Sequence, residues 1–502
     1  MKVKKYFSEL VGNEIINKIN KVVKEKQQSD SIFLITAPTG AGKSYYVKHD
    51  LYSYCKDNGL KMLYLLPRTV VKEEFDKELK TEQKDDVIIV ETYQALEYTD
   101  ALCNDDLKED IEYGFFTLED VRKEQGVHVR KTLDISKYDI IIADECHYFI
   151  SDSTFNSFTY RSYNHIFEEG KNAIKLFITA TPKPIFSKII KDAEKSINQK
   201  FEFELKSDSA VKDIKFFNAD KKKRKEEKVQ SIIGSFDGLE TCDEMLKGIA
   251  EEDKVIVFCD RKQFAYELFE AHEDNAIFVC SQYDDHYKQY VDKEAYVKML
   301  TEHLFDCKYL FCTSALDVGF SINDERVKHI ICMLSDWNSV IQAIGRKRMK
   351  NDNDSVTLYL ADYSNQRIGL ELDNIRKYFE HFYYLKKNGA IKYCHEYEKR
   401  PDKKKIVYYK DLKNGTCEPC VDMNVYYYYA WLRFQYDTIK KIDSQHKYQD
   451  WVLEQFGFPS SHERAISHAN DILSQFAEQG RIFTKDDKDE IAMAINYKKM
   501  GS

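Results

Sequence analysis

The sequence predicts an α/β protein with two successive parallel sheets and a mainly helical C-terminal region. Apolar runs of strand length alternate with helical patterns between residues 32 and 178, and the alternation returns between residues 214 and 360. Strands that alternate with helices pair in parallel, with helices on both faces of the sheet. Beyond about residue 366 the strand series ends, and helical, aromatic and basic patterns follow.

The length of the chain fits this division. Its 502 residues exceed what one hydrophobic core supports, and 43% of them are apolar. We predict domains at residues 1–205, 206–365 and 366–502, and we interpret the polar start of the second range, to about residue 230, as a solvated linker.

Composition excludes several classes of protein. No apolar run approaches the length of a membrane span, and the N-terminus lacks the apolar segment of a signal peptide, so we expect a cytoplasmic protein with no membrane partner. The 12 cysteines are scattered singly, which implies no disulfide framework. The net charge is −9, from 76 Lys and Arg against 85 Asp and Glu. Binding of nucleic acid therefore needs a local basic surface.

The predicted elements follow in chain order. An amphipathic helix is predicted over residues 10–27, because its apolar residues share one helical face. Runs of aliphatic and aromatic residues predict the strands of the first series at 32–35, 62–66, 87–90, 138–143 and 173–178. Those of the second series are predicted at 214–217, 255–259, 276–280, 309–312, 329–333 and 356–360.

The first predicted strand runs into Ala37-Pro38-Thr39-Gly40-Ala41-Gly42-Lys43-Ser44, which is typical of a phosphate-binding loop. Gly40 and Gly42 let backbone N–H groups converge on an anion at a helix N-terminus. Lys43 would reach the β- and γ-phosphates, and the Ser44 hydroxyl would bind Mg²⁺. Ala37 stands where the usual pattern has a first glycine, so the loop alone is also compatible with an ordinary turn from strand to helix.

The fourth predicted strand ends in Asp144-Glu145-Cys146-His147. Carboxylates at the carboxyl end of a parallel strand lie at the ligand-binding edge of the sheet. Asp144 is placed to hold Mg²⁺, and Glu145 to polarise the water that attacks a γ-phosphate. A phosphate-binding loop upstream favours this interpretation over a common turn.

Together, this loop and this box resemble motifs I and II of the superfamily 2 helicases. Further stretches are similar to the remaining motifs of that family, in the expected order. They are Leu65-Leu66-Pro67-Arg68-Thr69 (Ia), Thr92-Tyr93-Gln94-Ala95-Leu96 (the next strand-contacting motif), Thr179-Ala180-Thr181-Pro182 (III), Val257-Phe258-Cys259-Asp260-Arg261-Lys262 (IV), Thr313-Ser314-Ala315-Leu316-Asp317-Val318-Gly319-Phe320 (V) and Gln342-Ala343-Ile344-Gly345-Arg346-Lys347-Arg348 (VI).

The resemblance covers about residues 30 to 362 and implies two tandem RecA-like domains that hydrolyse ATP with Mg²⁺ in the cleft between them. It implies that Arg346 and Arg348 face the γ-phosphate, and that Asp317 and Gly319 contact the nucleotide. The implied contacts with nucleic acid are Pro67, Arg68, Thr92 and Thr313. The residues implied to couple the two sites are His147, Thr179, Thr181 and Gln342.

The leading hypothesis is an ATP-dependent helicase or translocase. DNA is favoured over RNA, because the box is not the Asp-Glu-Ala-Asp of the RNA helicases and no adenine-reading glutamine motif precedes Ser31. One alternative is an ATP-gated scaffold that binds nucleic acid without productive unwinding. A small-molecule kinase is another, but it would leave the second α/β series unexplained.

The C-terminal region leaves two features open. Cys417 and Cys420 could join Cys394 and His395 in a zinc site, or they are free or packing thiols. The aromatic run at residues 426–429 is either the core of a helix or a surface on which bases stack. The region is also a candidate surface for protein partners.

Overall fold

The fold is described from a computed structural model of the chain. It describes residues 7–29, 31–38, 40–97, 133–154, 156, 158–193, 199–205, 211–218, 238–280, 284, 286–313, 321–334, 336–348, 354–363, 365–397, 407–411, 417–421, 424–445 and 448–460.

Two parallel sheets form the frame of the molecule, in agreement with the predicted fold class of two tandem RecA-like α/β domains. The first sheet has the strand order β3-β2-β4-β5-β1-β6 and the second has the order β7-β12-β11-β8-β10-β9. The strands of the first sheet are β1 (Ser31–Thr36), β2 (Met62–Leu66), β3 (Ile88–Thr92), β4 (Ile140–Asp144), β5 (Ile174–Thr179) and β6 (Gln199–Glu204). Those of the second are β7 (Val211–Asn218), β8 (Lys254–Cys259), β9 (Ala276–Val279), β10 (Tyr309–Thr313), β11 (Val327–Met333) and β12 (Val356–Asp362).

Helices connect and cover these strands. They are α1 (Asn13–Lys24), α2 (Lys43–Tyr46), α3 (Tyr52–Asp57), α4 (Thr69–Thr81), α5 (Tyr148–Ser151), α6 (Thr159–Glu168), α7 (Ile185–Ala193), α8 (Gly238–Lys247), α9 (Lys262–Glu270), α10 (Lys293–Glu302) and α11 (Trp337–Ile344). Short 3₁₀ segments lie at Tyr93–Leu96, Asp152–Thr154, Glu273–Asn275 and Lys288–Tyr290, and π-helical turns lie at Ser8–Gly12 and Val47–Leu51. None of the helices in the described ranges is long and apolar enough to cross a membrane.

Each sheet is buried on both faces, as parallel sheets require. In β1, Phe33 and Ile35 belong to the core on one face, whereas Ile32 and Leu34 belong to the core on the other. The second sheet separates its residues in the same way, with Ile256 and Phe258 of β8 on one face and Val255 and Val257 on the other. Continuous aliphatic runs, rather than alternating ones, follow from this double burial.

Strand β6 is absent from the sequence prediction. It lies at the edge of the first sheet and pairs only with β1, so its charged residues alternate with Phe201 and Phe203. These rings lie 4.7 and 6.2 Å from the ring of Phe33, measured between centroids. An edge strand needs only one apolar face, and that pattern is weaker than the runs of the central strands.

The C-terminal region is mainly helical, as predicted, and includes a hairpin that the sequence analysis lacks. Its elements are α12 (Asn365–Tyr397), the antiparallel strands β13 (Val407–Asp411) and β14 (Cys417–Val421), α13 (Val425–Gln445) and α14 (Tyr448–Gln455). Helix α12 is interrupted at Gly389, whose φ of 79° lies in the left-handed region.

Two questions left open by the sequence concern this region. In the aromatic run, Tyr427 and Tyr428 are buried and Tyr426 is 58% exposed, so most of the described run packs in a core. Cys417 and Cys420 lie on β14, but their side chains are outside the described residues. No group of three or more candidate metal ligands occurs among the side chains that are described.

Candidate functional site

The order of the first sheet places three predicted motifs side by side. Strands β4, β5 and β1 are neighbours and parallel, so the segments after them emerge at the same edge. The backbone N–H of Ala37, after β1, donates to the carbonyl of Thr179 at 3.0 Å, and that of Cys146, after β4, donates to the carbonyl of Ile178 at 3.1 Å. The phosphate-binding loop, the carboxylate box and the motif after β5 thus form one continuous edge.

The phosphate-binding loop turns through its two glycines. Gly40 and Gly42 have φ values of 84° and 89°, in the left-handed region, and helix α2 begins directly afterwards at Lys43. Pro38 and Ala41 are also described. Thr39, another predicted residue of this loop, lies outside the described residues. The positive φ angles explain why glycine stands at both positions.

Lys43 joins this loop to the carboxylate box. Its Nζ atom lies 2.5 Å from Oε1 of Glu145 and 3.3 Å from Oδ1 of Asp144, and its side chain is 7% exposed. Burial lowers the pKa of Lys43, but the two carboxylates outweigh burial and raise it. The ammonium therefore stays charged in a site that excludes most water.

Asp144 is held by two tyrosines that the sequence analysis missed. The hydroxyl of Tyr64, in β2, donates to Oδ2 of Asp144 at 2.6 Å, and the hydroxyl of Tyr93 donates to the backbone carbonyl of Asp144 at 2.7 Å. The side chain of Ser44 is also a neighbour of the Tyr64 hydroxyl. One phenol thus lies beside both predicted Mg²⁺ ligands. A tyrosine inside the otherwise aliphatic run of β2 was the available signal, because a buried hydroxyl needs a partner.

Glu145 has an unusual backbone and a low pKa. Its φ of 50° lies in the left-handed region, which costs a non-glycine residue about 1–3 kcal/mol. Burial would raise the pKa of its carboxyl, but Lys43, His147 and Arg346 outweigh burial and lower it to about 2. Burial raises the pKa of the neighbouring Asp144 carboxyl, in spite of Lys43. The backbone turn directs two consecutive carboxylates to the same ammonium.

The predicted coupling residues form a hydrogen-bonded chain between the two sheets. Nδ1 of His147 lies 3.0 Å from Oγ1 of Thr179, which also accepts from the backbone N–H of Thr181 at 3.0 Å. Nε2 of His147 lies 2.7 Å from the side-chain nitrogen of Gln342 in α11. An amide nitrogen only donates, so Nε2 accepts and Nδ1 carries the proton. Burial lowers the pKa of His147, in agreement with this neutral ring.

Both motif VI arginines lie at the site of the first sheet. Arg346 is 6% exposed and acts electrostatically on Glu145. Arg348 donates through Nε to the hydroxyl of Ser321 at 3.0 Å, and its guanidinium occupies the space that a Cβ atom at Gly40 would fill. Burial and Arg346 lower the pKa of Arg348 to about 10, so it stays charged at neutral pH.

The residues predicted to contact nucleic acid lie at strand ends, with different surroundings. Arg68 follows β2 and donates to Oδ2 of Asp152 at 2.7 Å, while the carbonyl of Pro67 accepts from Gln94 at 3.2 Å. Thr92 and Thr313, the last residues of β3 and β10, are 9% and 3% exposed. The predicted nucleotide contacts Asp317 and Gly319 lie outside the described residues.

Comparison with known proteins supports the same reading of the chain. Residues 10–184 match the family described as type III restriction enzyme, res subunit, and residues 237–350 match the helicase conserved C-terminal domain. No curated protein sequence matches the chain. These two matches support a superfamily 2 helicase. Domains of this kind support ATP-dependent helicase or translocase activity and imply ATP hydrolysis in general.

Two solved structures are also similar to the chain. A variant of Dbp5 from S. cerevisiae, bound to RNA and ADP BeF3, has 13% sequence identity and a TM-score of 0.44, covering 75% of this chain and 93% of that chain. The helicase Lhr from Mycobacterium smegmatis, bound to ssDNA and AMP-PNP, has 13% identity and a TM-score of 0.42, covering 70% of this chain and 46% of that one.

Proposed function

We propose that this protein is a DNA helicase or translocase that hydrolyses ATP with Mg²⁺ between its two α/β units. The observation that carries the proposal is the convergence of both units on one site. Gln342 contacts His147 at 2.7 Å, and Arg348 packs against Gly40 of the phosphate-binding loop. A P-loop kinase or an isolated nucleotide-binding domain would not need Arg346 and Arg348 from a second α/β unit.

The donor set of the site fits a magnesium nucleotide. The loop from Ala37 to Ser44 supplies backbone N–H groups and the Lys43 ammonium for phosphate oxygens. Ser44 and Asp144 are oxygen ligands of the kind that Mg²⁺ prefers, and the hydroxyl of Tyr64 donates to Asp144 and lies beside Ser44. Bound Mg²⁺ would neutralise charge on the β- and γ-phosphates.

Hydrolysis then needs an oriented water and a stabilised leaving group. The Glu145 carboxylate accepts a hydrogen bond from the water, whose oxygen attacks the γ-phosphorus as the bond to the β,γ-bridging oxygen breaks. With a pKa of about 2, Glu145 is a weak base, so it orients the water and the proton passes on to the released phosphate. Arg346 and Arg348 stabilise the charge that develops on the phosphoryl oxygens.

Movement along a strand follows from closure of the cleft. A series of hydrogen bonds joins α11 of the second unit to the end of β5 in the first. It runs from Gln342 through His147 to Thr179 and Thr181. A change at the γ-phosphate is thereby transmitted to strand ends in both sheets. Pro67, Arg68, Thr92 and Thr313 lie at such ends, where we place the contacts with the backbone of the nucleic acid.

DNA is favoured over RNA for reasons of sequence. The box reads Asp144-Glu145-Cys146-His147, and no adenine-reading glutamine motif precedes Ser31. The family that matches residues 10–184 is described as a restriction-enzyme subunit. Because the resemblance is to superfamily 2 helicases and DNA is favoured, we expect movement in the 3′ to 5′ direction by analogy with that family.

The decisive experiment measures ATP hydrolysis alone, with single-stranded DNA and with single-stranded RNA, and then strand displacement on tailed duplexes. We expect DNA to stimulate hydrolysis more than RNA does. Nucleotide binding without stimulated turnover would favour an ATP-gated scaffold, and equal stimulation by both nucleic acids would remove the DNA preference.

Salt dependence tests the mode of binding. Because a chain of net charge −9 must bind phosphates through a local surface, affinity for single-stranded DNA should fall steeply with salt. The slope of log affinity against log salt should be about −0.7 for each phosphate neutralised. Affinity that ignored salt, or that required one base sequence, would contradict a motor that tracks the backbone.

A further inference from the structure

Helix α13 of the C-terminal region contacts both α/β units. Near its N-terminus, Tyr427 is 5% exposed and belongs to a core of the first unit. Its ring lies 5.5 Å from that of Tyr163, and Nζ of Lys188 lies 4.3 Å from its centroid. Near the C-terminus, Ile442 belongs to a core of the second unit. The stretch between these residues spans about 22 Å at 1.5 Å per residue.

A buried asparagine fixes the first of these contacts. Asn424 is 4% exposed, and its Oδ1 atom accepts from the hydroxyl of Thr159 at 2.9 Å and from the backbone N–H of Tyr160 at 3.3 Å. Its Nδ2 atom donates to the backbone carbonyl of Asn156 at 2.9 Å. These partners lie on the segment that follows α5, and α5 begins directly after His147. The contact therefore lies one short helix away from the carboxylate box.

A second amide fixes the contact with the other unit. Nε2 of Gln435 donates to Oδ1 of Asp336 at 2.6 Å. The other oxygen of Asp336 caps α11, because it accepts from the backbone N–H and the hydroxyl of Ser339 at 2.8 and 2.9 Å. Helix α11 carries Gln342 and leads to Arg346, so Gln435 acts on the cap of the helix that presents motif VI.

We propose that α13, with Asn424 directly before it, is a positioning element of the ATPase, in which Gln435 and Asn424 keep the motif VI helix at a set distance from the carboxylate box. The inference rests on the proposed function, because positioning matters only if both units serve one reaction. Apolar contacts at Tyr427 and Ile442 supply attraction without direction. The amides of Asn424, which is buried, and Gln435, which is half-buried, add direction, since a hydrogen bond weakens steeply when its geometry changes.

The test exchanges donor and acceptor between Gln435 and Asp336 in the full chain. Gln435→Glu alone places two carboxylates against each other, and we expect DNA-stimulated kcat to fall about tenfold or more. Nucleotide affinity should stay within about twofold, because the phosphate-binding loop is untouched. Adding Asp336→Asn should restore kcat, since the new amide donates to the introduced carboxylate and asparagine caps a helix as well as aspartate does.

Two controls accompany the exchange. Asp437→Asn changes a residue on the exposed side of the same helix, which pairs with Arg433 at the surface, and it should behave as the parent protein does. Hydrogen exchange over Trp337–Ile344 reports on the position of α11 without turnover. It should be faster in Gln435→Glu and return to the parent rate in the double variant.

The outcomes separate the inference from the function on which it rests. A parent protein without stimulated turnover would contradict the proposed function, while hydrogen exchange would still decide whether Gln435 positions α11. If the parent is active and Gln435→Glu changes neither kcat nor exchange over α11, α13 is not a positioning element. Loss of kcat that Asp336→Asn fails to restore would also overturn the inference.

Discussion

At the scale of single residues, Lys43 and Glu145 have different roles, because Lys43 contacts phosphate and Glu145 orients the attacking water. Lys43→Ala removes the ammonium that contacts phosphate, so nucleotide binding should weaken. Glu145→Gln keeps the shape of the side chain and should keep nucleotide binding, while hydrolysis falls about 10²- to 10⁴-fold. The measurements are nucleotide affinity and single-turnover hydrolysis, with Lys80→Ala on the exposed face of α4 as a control. Parent-rate hydrolysis by Glu145→Gln would contradict the role given to this carboxylate.

The hydroxyl of Tyr64 gives a second prediction at this scale. It donates to the carboxylate of Asp144, so Tyr64→Phe should raise the Mg²⁺ concentration needed for nucleotide binding by about 10- to 100-fold, as loss of a partner behind a metal ligand does. Tyr93→Phe is the matched control, because its hydroxyl donates to the backbone carbonyl of Asp144 and not to the carboxylate. Equal Mg²⁺ requirements in the two variants would mean that Tyr64 does not hold the ligands.

His147 predicts a dependence on pH. Burial lowers the pKa of the folded His147 ring below the ordinary value of 6.5. At a pH between the lowered pKa and 6.5, the unfolded chain therefore binds more protons than the folded one. The stability that the neutral ring contributes is complete above pH 6.5 and declines as the pH falls below it. Gln342→Glu places a carboxylate beside the ring and should raise the pKa by about 1–3 units, so the decline becomes shallower.

The measurement for His147 is the melting temperature between pH 5 and 7. Glu97 is buried elsewhere in the first unit, and its carboxyl accepts from the hydroxyl of Tyr148, so it serves as a reference group whose titration the change at Gln342 should not alter. Parallel profiles for the parent and Gln342→Glu would show that the contact between His147 and Gln342 is absent in solution.

At the scale of elements, helix caps offer the simplest test. Asp292 caps α10 by accepting from the backbone N–H groups of Glu294 and Ala295 at 2.9 and 3.0 Å. Asp292→Ala should destabilise that helix by about 1 kcal/mol, because two backbone donors lose their acceptor, whereas Asp292→Asn should cost little. Hydrogen exchange in the first turn of α10 measures the effect. Equal exchange in the two variants would contradict the cap.

The predictability of an element depends on where it lies. The central strands are buried on both faces, so they are continuous aliphatic runs, and β2 agrees with its predicted bounds at residues 62–66. The edge strand β6 and the hairpin of β13 and β14 have fewer neighbours, so their sequences carry weaker patterns. The domain boundaries at residues 205 and 365 stay predictions.

The site shows the same limit. Motif residues follow one another in sequence, so the loop and the carboxylate box could be predicted from their residue types, their positions after strands and their resemblance to the superfamily 2 helicases. The tyrosine in the aliphatic run of β2 indicates that Tyr64 needs a partner, but not which residue that partner is. Asn424 and Gln435 act through tertiary contacts between residues far apart in the chain, and no local pattern marks such partners. The same holds for the contact of Arg348 with Gly40, which depends on the arrangement of both sheets.

At the scale of the whole molecule, the motif VI arginines test whether the two units form one machine. Arg346→Ala and Arg348→Ala should each lower DNA-stimulated hydrolysis about 10³- to 10⁵-fold and leave nucleotide binding intact. Lysine should not restore activity at position 348, because an ammonium cannot replace a planar guanidinium that contacts two oxygens. Arg376→Ala, in an exposed part of α12, is the matched control. Near-parent turnover in both alanine variants would favour the ATP-gated scaffold over the helicase or translocase.

The length of α13 also restricts how the two units can move. A stiff helix attached at Asn424 to the first unit and at Gln435 to the second keeps those two points about 16 Å apart, because eleven residues rise 1.5 Å each. Two α/β units joined by such a helix can rotate about its ends, but they cannot move apart along its axis. Opening of the cleft is therefore a swing with a fixed radius, in which the edge farthest from the helix travels the greatest distance.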